Sequence, residues 1–203
     1  MEPANRFDAA AATWDQEDRR VVLAREVTAA ILDRVRPEPA WRALDFGAGT
    51  GLVTLALAPH VGRMTGADTS EGMLAQLAAK AGALGLPVEV RRLDGAGDLG
   101  GPYDLIVSSM TLHHVVDVPA LLVQLARHLA PGGRIALADL EPEDGSFHGE
   151  DASDVHHLGF EPADIAAWLE AAGLRDVAVA RAVETTKKGR TFGIFLATGR
   201  AGA

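Results

Sequence analysis

A chain of 203 residues with 48% hydrophobic composition can bury one sizeable core, and no polar linker or composition shift divides it, so a single domain is expected. A formal net charge of −9 without a long Lys/Arg run counts against nonspecific nucleic-acid binding, and the absence of Cys removes disulfides, thiolate metal sites and a cysteine nucleophile. Residues 1–12 lack the pattern of a signal peptide and no apolar run is long enough to span a bilayer, so a cytoplasmic protein without a membrane segment is expected.

In chain order the hydrophobic pattern predicts a helix over 16–35, a strand over 43–46, a helix over 52–58, a strand over 64–68, a helix over 70–84 and strands over 88–93 and 105–109. A helix over 118–129, a strand over 135–139, a helix over 162–172 and strands over 177–183 and 192–197 follow. Short apolar runs alternating with helical segments give a parallel sheet covered on both faces. Ser70 and Glu71 suit a helix cap and an acidic first turn, and Pro162 suits a first helical position. Pro131-Gly132-Gly133 is expected to stop a helix near Leu129 and turn the chain into the next strand. A polar link over 184–190, containing Gly189, joins the last two strands as an antiparallel pair. The acidic, His-rich stretch 141–159 has no clear period.

The first strand ends in Ala43-Leu44-Asp45-Phe46-Gly47-Ala48-Gly49-Thr50-Gly51, a turn that lets a ligand approach the backbone closely. A dinucleotide fingerprint counted from Gly47 and Gly49 needs glycine at 52, which is Leu52. Asp45 also opposes a pyrophosphate and suits a cation. Asp68 ends the second strand, where it can accept hydrogen bonds from two ribose hydroxyls. Met73 can lay its thioether against an adenine, and Asp94, before Gly95, can accept a bond from the exocyclic amine. Each acid alone also reads as a turn or cap residue, and Met73 as core; their joint register with the strand ends favours a ligand.

These segments, with Gly66-Ala67-Asp68-Thr69-Ser70-Glu71-Gly72-Met73, Tyr103-Asp104-Leu105-Ile106-Val107-Ser108-Ser109 and Pro131-Gly132-Gly133, resemble class I S-adenosylmethionine-dependent methyltransferases over about residues 7–197. The nearest likeness is to the small-molecule group related to ubiquinone and menaquinone biosynthesis methyltransferases. The resemblance implies a Rossmann-like α/β fold with a seven-stranded sheet in the order 3-2-1-4-5-7-6, strand seven antiparallel and helices on both faces. It divides the domain, 1–203, into an N-terminal lid and helix (1–36), a cofactor-binding core (41–140), an acceptor-side loop (141–161) and a C-terminal helix and hairpin (162–203). It implies S-adenosylmethionine as cofactor, with Asp45, Gly47, Ala48, Gly49, Thr50 and Gly51 at the methionyl part, Asp68 at the ribose and Asp94 at the adenine. Trp14, Thr69, Met73, Gly95 and Ser109 complete the expected cofactor contacts. Phe46 departs from the more frequent small or β-branched neighbour.

On the acceptor side, His113 and His114 after the fourth strand, and His148 and His157 in the loop, are candidate bases; the plainer alternative is that an imidazole only hydrogen-bonds the loop or the cofactor. Phe147, Phe160, His148 and His157 are candidate pocket walls. Trp14 can close over a sulfonium or simply pack a helix, and Arg19 and Arg20 can neutralise a carboxylate or face solvent. No metal site is expected, because the charged loop lacks a compact ligand spacing. The expected partner is a small-molecule methyl acceptor with an O, N, S or C nucleophile, not nucleic acid or a membrane, and the expected state is monomer or homodimer. A nicotinamide-dependent oxidoreductase, a non-catalytic S-adenosylmethionine-binding scaffold and a metal-dependent enzyme using the acidic loop are the alternatives.

Overall fold

The computed structural model describes residues 6–94, 99–148 and 154–202. Seven strands form one mixed sheet: β1 (Arg42–Phe46), β2 (Arg63–Asp68), β3 (Val88–Arg92), β4 (Tyr103–Ser109), β5 (Leu129–Leu140), β6 (Arg175–Lys187) and β7 (Arg190–Arg200). Their order is β3-β2-β1-β4-β5-β7-β6, parallel except for β7. Helices α1 (Arg6–Ala10), α2 (Asp18–Val35), α3 (Leu52–Leu57), α4 (Glu71–Leu84), α5 (Val118–Arg127) and α6 (Pro162–Ala171) flank it. Among the described residues, no helix is long and apolar enough to cross a membrane.

The central strands read as continuous apolar runs because each is covered on both faces. Ala43, Leu105, Val107, Ala136, Ala138, Ile194 and Leu196 pack with Leu23, Val27 and Ile31 of α2 and with Val53 and Leu57 of α3. Their neighbours in the alternation, Leu44, Ile106, Ile135, Leu137, Phe195 and Ala197, pack with Leu122 and Leu125 of α5 and with Ile165 and Leu169 of α6. Helix ends follow local chemistry. Ser70 Oγ accepts from Met73 N at 3.1 Å, and Asp117 caps α5 through Ala120 N.

Two expectations are corrected. Helix α5 ends at Arg127, and Pro131-Gly132-Gly133 lies inside β5 instead of before it. A positive φ of 73° at Gly132 and a register shift between Tyr103 and Leu105 let β5 absorb this irregular stretch while staying paired. The polar link over 184–190 is mostly strand, because β6 and β7 continue to Lys187 and Arg190 and leave a two-residue turn. Lys188 (φ 49°) and Gly189 (φ 76°) both take the left-handed conformation that such turns need.

Order 2-1-4 places a topological switch beside β1, where connections leave in opposite directions and open a crevice at the carboxyl edge. Strand β6 also runs parallel to β1, being antiparallel to β7, which is antiparallel to β5. Its end at Lys187 therefore reaches the same edge.

Ile31 of α2 is fully buried against the sheet, so Ile31→Ala should cost about 2 to 5 kcal/mol of unfolding free energy. Urea denaturation followed by circular dichroism measures it, and the slope of the transition should stay unchanged.

Candidate active site

A cavity of about 760 Å³ opens at the switch point. Its sheet-side wall is the glycine turn after β1, Asp68 and Thr69 at the end of β2, and Ser109, Met110 and Thr111 at the end of β4. The turn is anchored where Gly47 N and Ala48 N both donate to the Ala67 carbonyl, at 2.8 and 3.0 Å. Gly49, at φ 53°, has nothing within 4 Å of where a Cβ would stand, so its backbone faces open space. Gly51 does a different job. A Cβ there would sit 2.2 Å from Leu77 of α4, and Gly51 does not line the cavity.

Asp45 is 1% exposed yet borders the cavity, with Thr54 Oγ1 donating to it at 2.6 Å. Burial pushes its carboxyl up to about 7; the Thr54 hydrogen bond opposes the shift and the Asp68 charge adds to it. Asp68 accepts from Gly49 N at 2.8 Å and Ser70 N at 2.9 Å, and burial outweighs these bonds to hold its carboxyl above the usual range. Each carboxylate oxygen keeps a further lone pair for a ligand. Met73 is buried and lines the cavity with Leu93. Asp94 does not reach it: its side chain is 81% exposed and lies 3.4 Å from Arg92 Nε, because Leu93, not its neighbour in the alternation, points inward. Gly95 lies outside the described residues.

The N-terminal segment covers the opening. Asp8 accepts from Ser70 Oγ at 2.5 Å and Gly72 N at 2.8 Å, and these bonds hold its carboxyl below the ordinary value. Asp15 binds Thr50 Oγ1 and Lys80 Nζ, both at 2.6 Å. Thr50 thus spends its hydroxyl on the cover, although it remains in the cavity wall. Trp14 lines the cavity, its ring 3.7 Å from the Arg20 guanidinium.

Opposite the glycine turn three imidazoles crowd together. The His113 ring lies 4.1 Å from His114 and 4.7 Å from His148. His113 Nδ1 donates to Asp139 Oδ1 at 2.7 Å, a buried bond that fixes the ring and leaves Nε2 as the acceptor nitrogen of the neutral form. Burial alone would raise the Asp139 carboxyl, but His113 and the amides of His113 and Leu140 outweigh it and hold it below the ordinary value. His114 Nδ1 donates to the Asp154 carbonyl at 2.9 Å; burial, then His113, lowers its pKa. Burial, then the charges of His113, His114 and Lys187, pushes His148 down to about 4, and its buried Nε2 has no partner among the described residues.

The loop after β5 divides its expected wall residues. Phe147 and His148 line the cavity. His157 does not: it bonds the Val115 carbonyl at 2.9 Å and stacks 5.0 Å from Phe160. Phe160 belongs to the core beside Trp168 and Phe195, because its amide donates to the Leu140 carbonyl and turns the ring inward. Asp139, Asp8, Asp15, Met110 and Lys187 were not singled out as candidates from the sequence. Asp139 carries the same signal as Asp45 and Asp68, an acid at the end of a buried strand. Lys187 carries none. Among the described residues, no group of three His, Asp or Glu side chains is arranged to hold a metal ion.

With this geometry in view, the comparisons define the class. Residues 16–179 match the family model described as Methyltransferase domain, and the chain belongs to that family. The fold is the class I methyltransferase fold, whose cofactor is S-adenosylmethionine. The chain is 40% identical over 149 residues to the biotin biosynthesis bifunctional protein BioCD of Bordetella avium, covering 69% of this chain and 30% of that one. It is 35% identical over 144 residues to trans-aconitate 2-methyltransferase of Deinococcus radiodurans, covering 67% and 53%. Its fold superposes on magnesium protoporphyrin IX methyltransferase of Synechocystis, solved with bound S-adenosylhomocysteine, at a TM-score of 0.67 and 22% identity, covering 89% and 83%. The chain spans about half or less of the curated relatives it matches.

If Asp8 and Asp15 fasten the cover, Asp8→Ala combined with Asp15→Ala should speed amide hydrogen exchange over residues 6–16 while the amides of β1, β4 and β5 keep their protection. Exchange mass spectrometry resolves the two regions.

Proposed function

We propose that the chain transfers a methyl group from S-adenosylmethionine to a small-molecule acceptor with an O, N, S or C nucleophile, releasing S-adenosylhomocysteine. The observation that carries this reading is a pair of carboxylates, Asp45 buried and Asp68 part-buried, facing a cavity beside an open glycine turn. That wall repels a pyrophosphate and suits an adenosyl ligand carrying an ammonium and a sulfonium. The relatives include one named for trans-aconitate, which supports a small acceptor.

When bound, the cofactor supplies a methyl on a sulfonium, and the electrons of the broken carbon–sulfur bond return to sulfur. The residues present fit it. Asp45, Gly47, Ala48, Gly49 and Thr50 would face the methionyl part, Asp68 and Thr69 the ribose, and Met73 with Leu93 the adenine, while Ser109 and Trp14 close the wall. The N-terminal cover and Trp14 exclude water, and the chain positions the two reactants without a covalent intermediate. An acceptor that must lose a proton would give it to Nε2 of His113, since the Asp139 bond to Nδ1 orients the ring and leaves Nε2 as its acceptor nitrogen. His148, ionising only near 4, is a weak base at neutrality and suits a hydrogen bond to the acceptor.

Because Asp45 ionises only near 7 in the free protein, a cationic ligand should pull its proton off on binding. Affinity for S-adenosylmethionine should therefore fall as pH drops below 7, by up to about tenfold per pH unit, and be flat above about pH 8. Calorimetry near pH 6 in buffers of different ionisation enthalpy should detect the released proton. Binding of a nicotinamide dinucleotide without S-adenosylmethionine would overturn the proposal. For an acceptor that needs deprotonation, Asp139→Asn should lower kcat by about 10²-fold or more, with S-adenosylhomocysteine affinity unchanged. The measurement is S-adenosylhomocysteine formation across a panel of phenol, amine, thiol and carbon acceptors.

A further inference from the structure

The cavity is electrically divided along the sheet. Its acids come from β1 and β2, whereas three of its four lining cations stand toward the far edge, Arg19 and Arg20 of α2 and Lys187 at the end of β6; the fourth, Arg6, is paired with Asp154 at 2.8 Å. The Arg19 guanidinium lies 5.2 Å, and Lys187 Nζ 4.8 Å, from the centroid of the same ring, Phe147, which is itself 95% buried. His148 meets that ring edge-on at 5.0 Å and reaches His113 at 4.7 Å.

Three positive charges here share one carboxylate. Glu17 Oε1 takes Arg19 Nη2 at 2.6 Å and Glu17 Oε2 takes Arg20 Nη2 at 2.8 Å, while Lys187 Nζ donates to a neutral acceptor, the Phe147 carbonyl. The charges are also poorly hydrated: the Arg19 side chain is 18% exposed and Lys187 is half-buried. Burial, then Arg19 and Arg20, pulls the Lys187 ammonium down, which expresses the unmatched positive field at this end. Cations gathered in a cavity wall at this cost in desolvation and mutual repulsion form a receptor for negative charge.

We infer that the methyl acceptor carries an anionic oxygen group, a carboxylate or a phosphate, held by Arg19, Arg20 and Lys187 beside Phe147. The inference rests on the methyltransferase reading and narrows it: the anion is the handle, and the imidazoles of His113 and His148 next to Phe147 mark where the nucleophilic atom is presented. Arginine's fork suits a carboxylate or phosphate edge, and the lysine adds a point charge from another strand. Phe147 fixes the spacing between handle and imidazoles.

The test is an NMR titration of the protein saturated with S-adenosylhomocysteine, using malonate and inorganic phosphate in separate arms and malonamide as the neutral control. At least one anion should shift the Arg19 and Arg20 side-chain signals saturably, and the tighter arm distinguishes carboxylate from phosphate; malonamide should not bind. Lys187→Met and Arg19→Gln should each weaken the anion by about tenfold or more, Lys187→Arg should retain it, and S-adenosylhomocysteine affinity should change by less than about twofold. Binding of neither anion, equal binding of malonamide, or indifference to both charge-removing variants overturns the inference. Failure of S-adenosylhomocysteine itself to bind overturns the methyltransferase reading instead.

Discussion

Asp45 sits at the inner end of β1, 1% exposed, between strands that hydrogen-bond it on both sides and with one hydroxyl donor for its carboxyl. A carboxylate in that position must either take up a proton or face a cation. Raising a carboxyl from 3.8 to about 7 corresponds to roughly 4 kcal/mol of differential stability between its two forms. A cationic ligand recovers that difference, and a neutral or anionic one does not. The rest of the site deepens the same constraint. Asp68 adds a second negative charge, the glycine turn brings backbone to the ligand without side-chain bulk, and Asp8 and Asp15 tie the N-terminal segment to Ser70 and Thr50 beside it.

Asp139 shows what Asp45 lacks. Both close central parallel strands and both are buried, yet Asp139 accepts from Leu112 N at 2.8 Å, Leu140 N at 2.7 Å and His113 Nδ1 at 2.7 Å. The His113 charge, then hydrogen bonds from His113 and from the Leu140 and His113 amides, offset its desolvation, so it stays an anion where Asp45 does not. The same strand-end position thus yields a fixed internal charge in one case and an unsatisfied one, open to a ligand, in the other. The neighbouring charge, a histidine for Asp139 and an acid for Asp45, and the donor count together decide between them.

The sequence carried the sheet because burial on both faces leaves short, nearly continuous apolar runs that cannot be mistaken for helices of their length. Ser70 and Pro162 set helix starts through local chemistry, and both stand where that chemistry requires. The stretch at Pro131-Gly132-Gly133 misled because its residue types favour a turn, whereas long-range pairing with β4 and β7 overrides that preference. In the site, Asp45, Asp68, Met73 and the turn were legible from spacing along the chain. Asp94 and Gly51 were not separable from them by spacing, since which way a residue points at a strand end depends on a single step of the alternation. Lys187 was invisible for another reason. It is 142 residues from Asp45, and only the length of β6 and its parallel direction carry it to the same edge.

The histidine cluster poses a last problem of charge. Three rings whose centroids lie 4.1, 4.7 and 6.1 Å apart cannot all be protonated in a half-buried site that already contains Lys187 and three arginines. His148 ionises only near 4, and His114 is lowered by burial and by its neighbour while its Nδ1–H is committed to a carbonyl. His114 also has the Asp154 carboxylate at 3.2 Å, but that pair is part-exposed, whereas His113 has a fully buried anion, Asp139, bonded to its Nδ1. On the proposed reading, a proton released by an acceptor would therefore settle on the one ring that Asp139 compensates, and the other two would stay neutral and hydrogen-bonding. The arrangement separates the tasks by environment: one residue type supplies a base at one position and polar contacts at the next, with the buried carboxylate behind His113 making the difference.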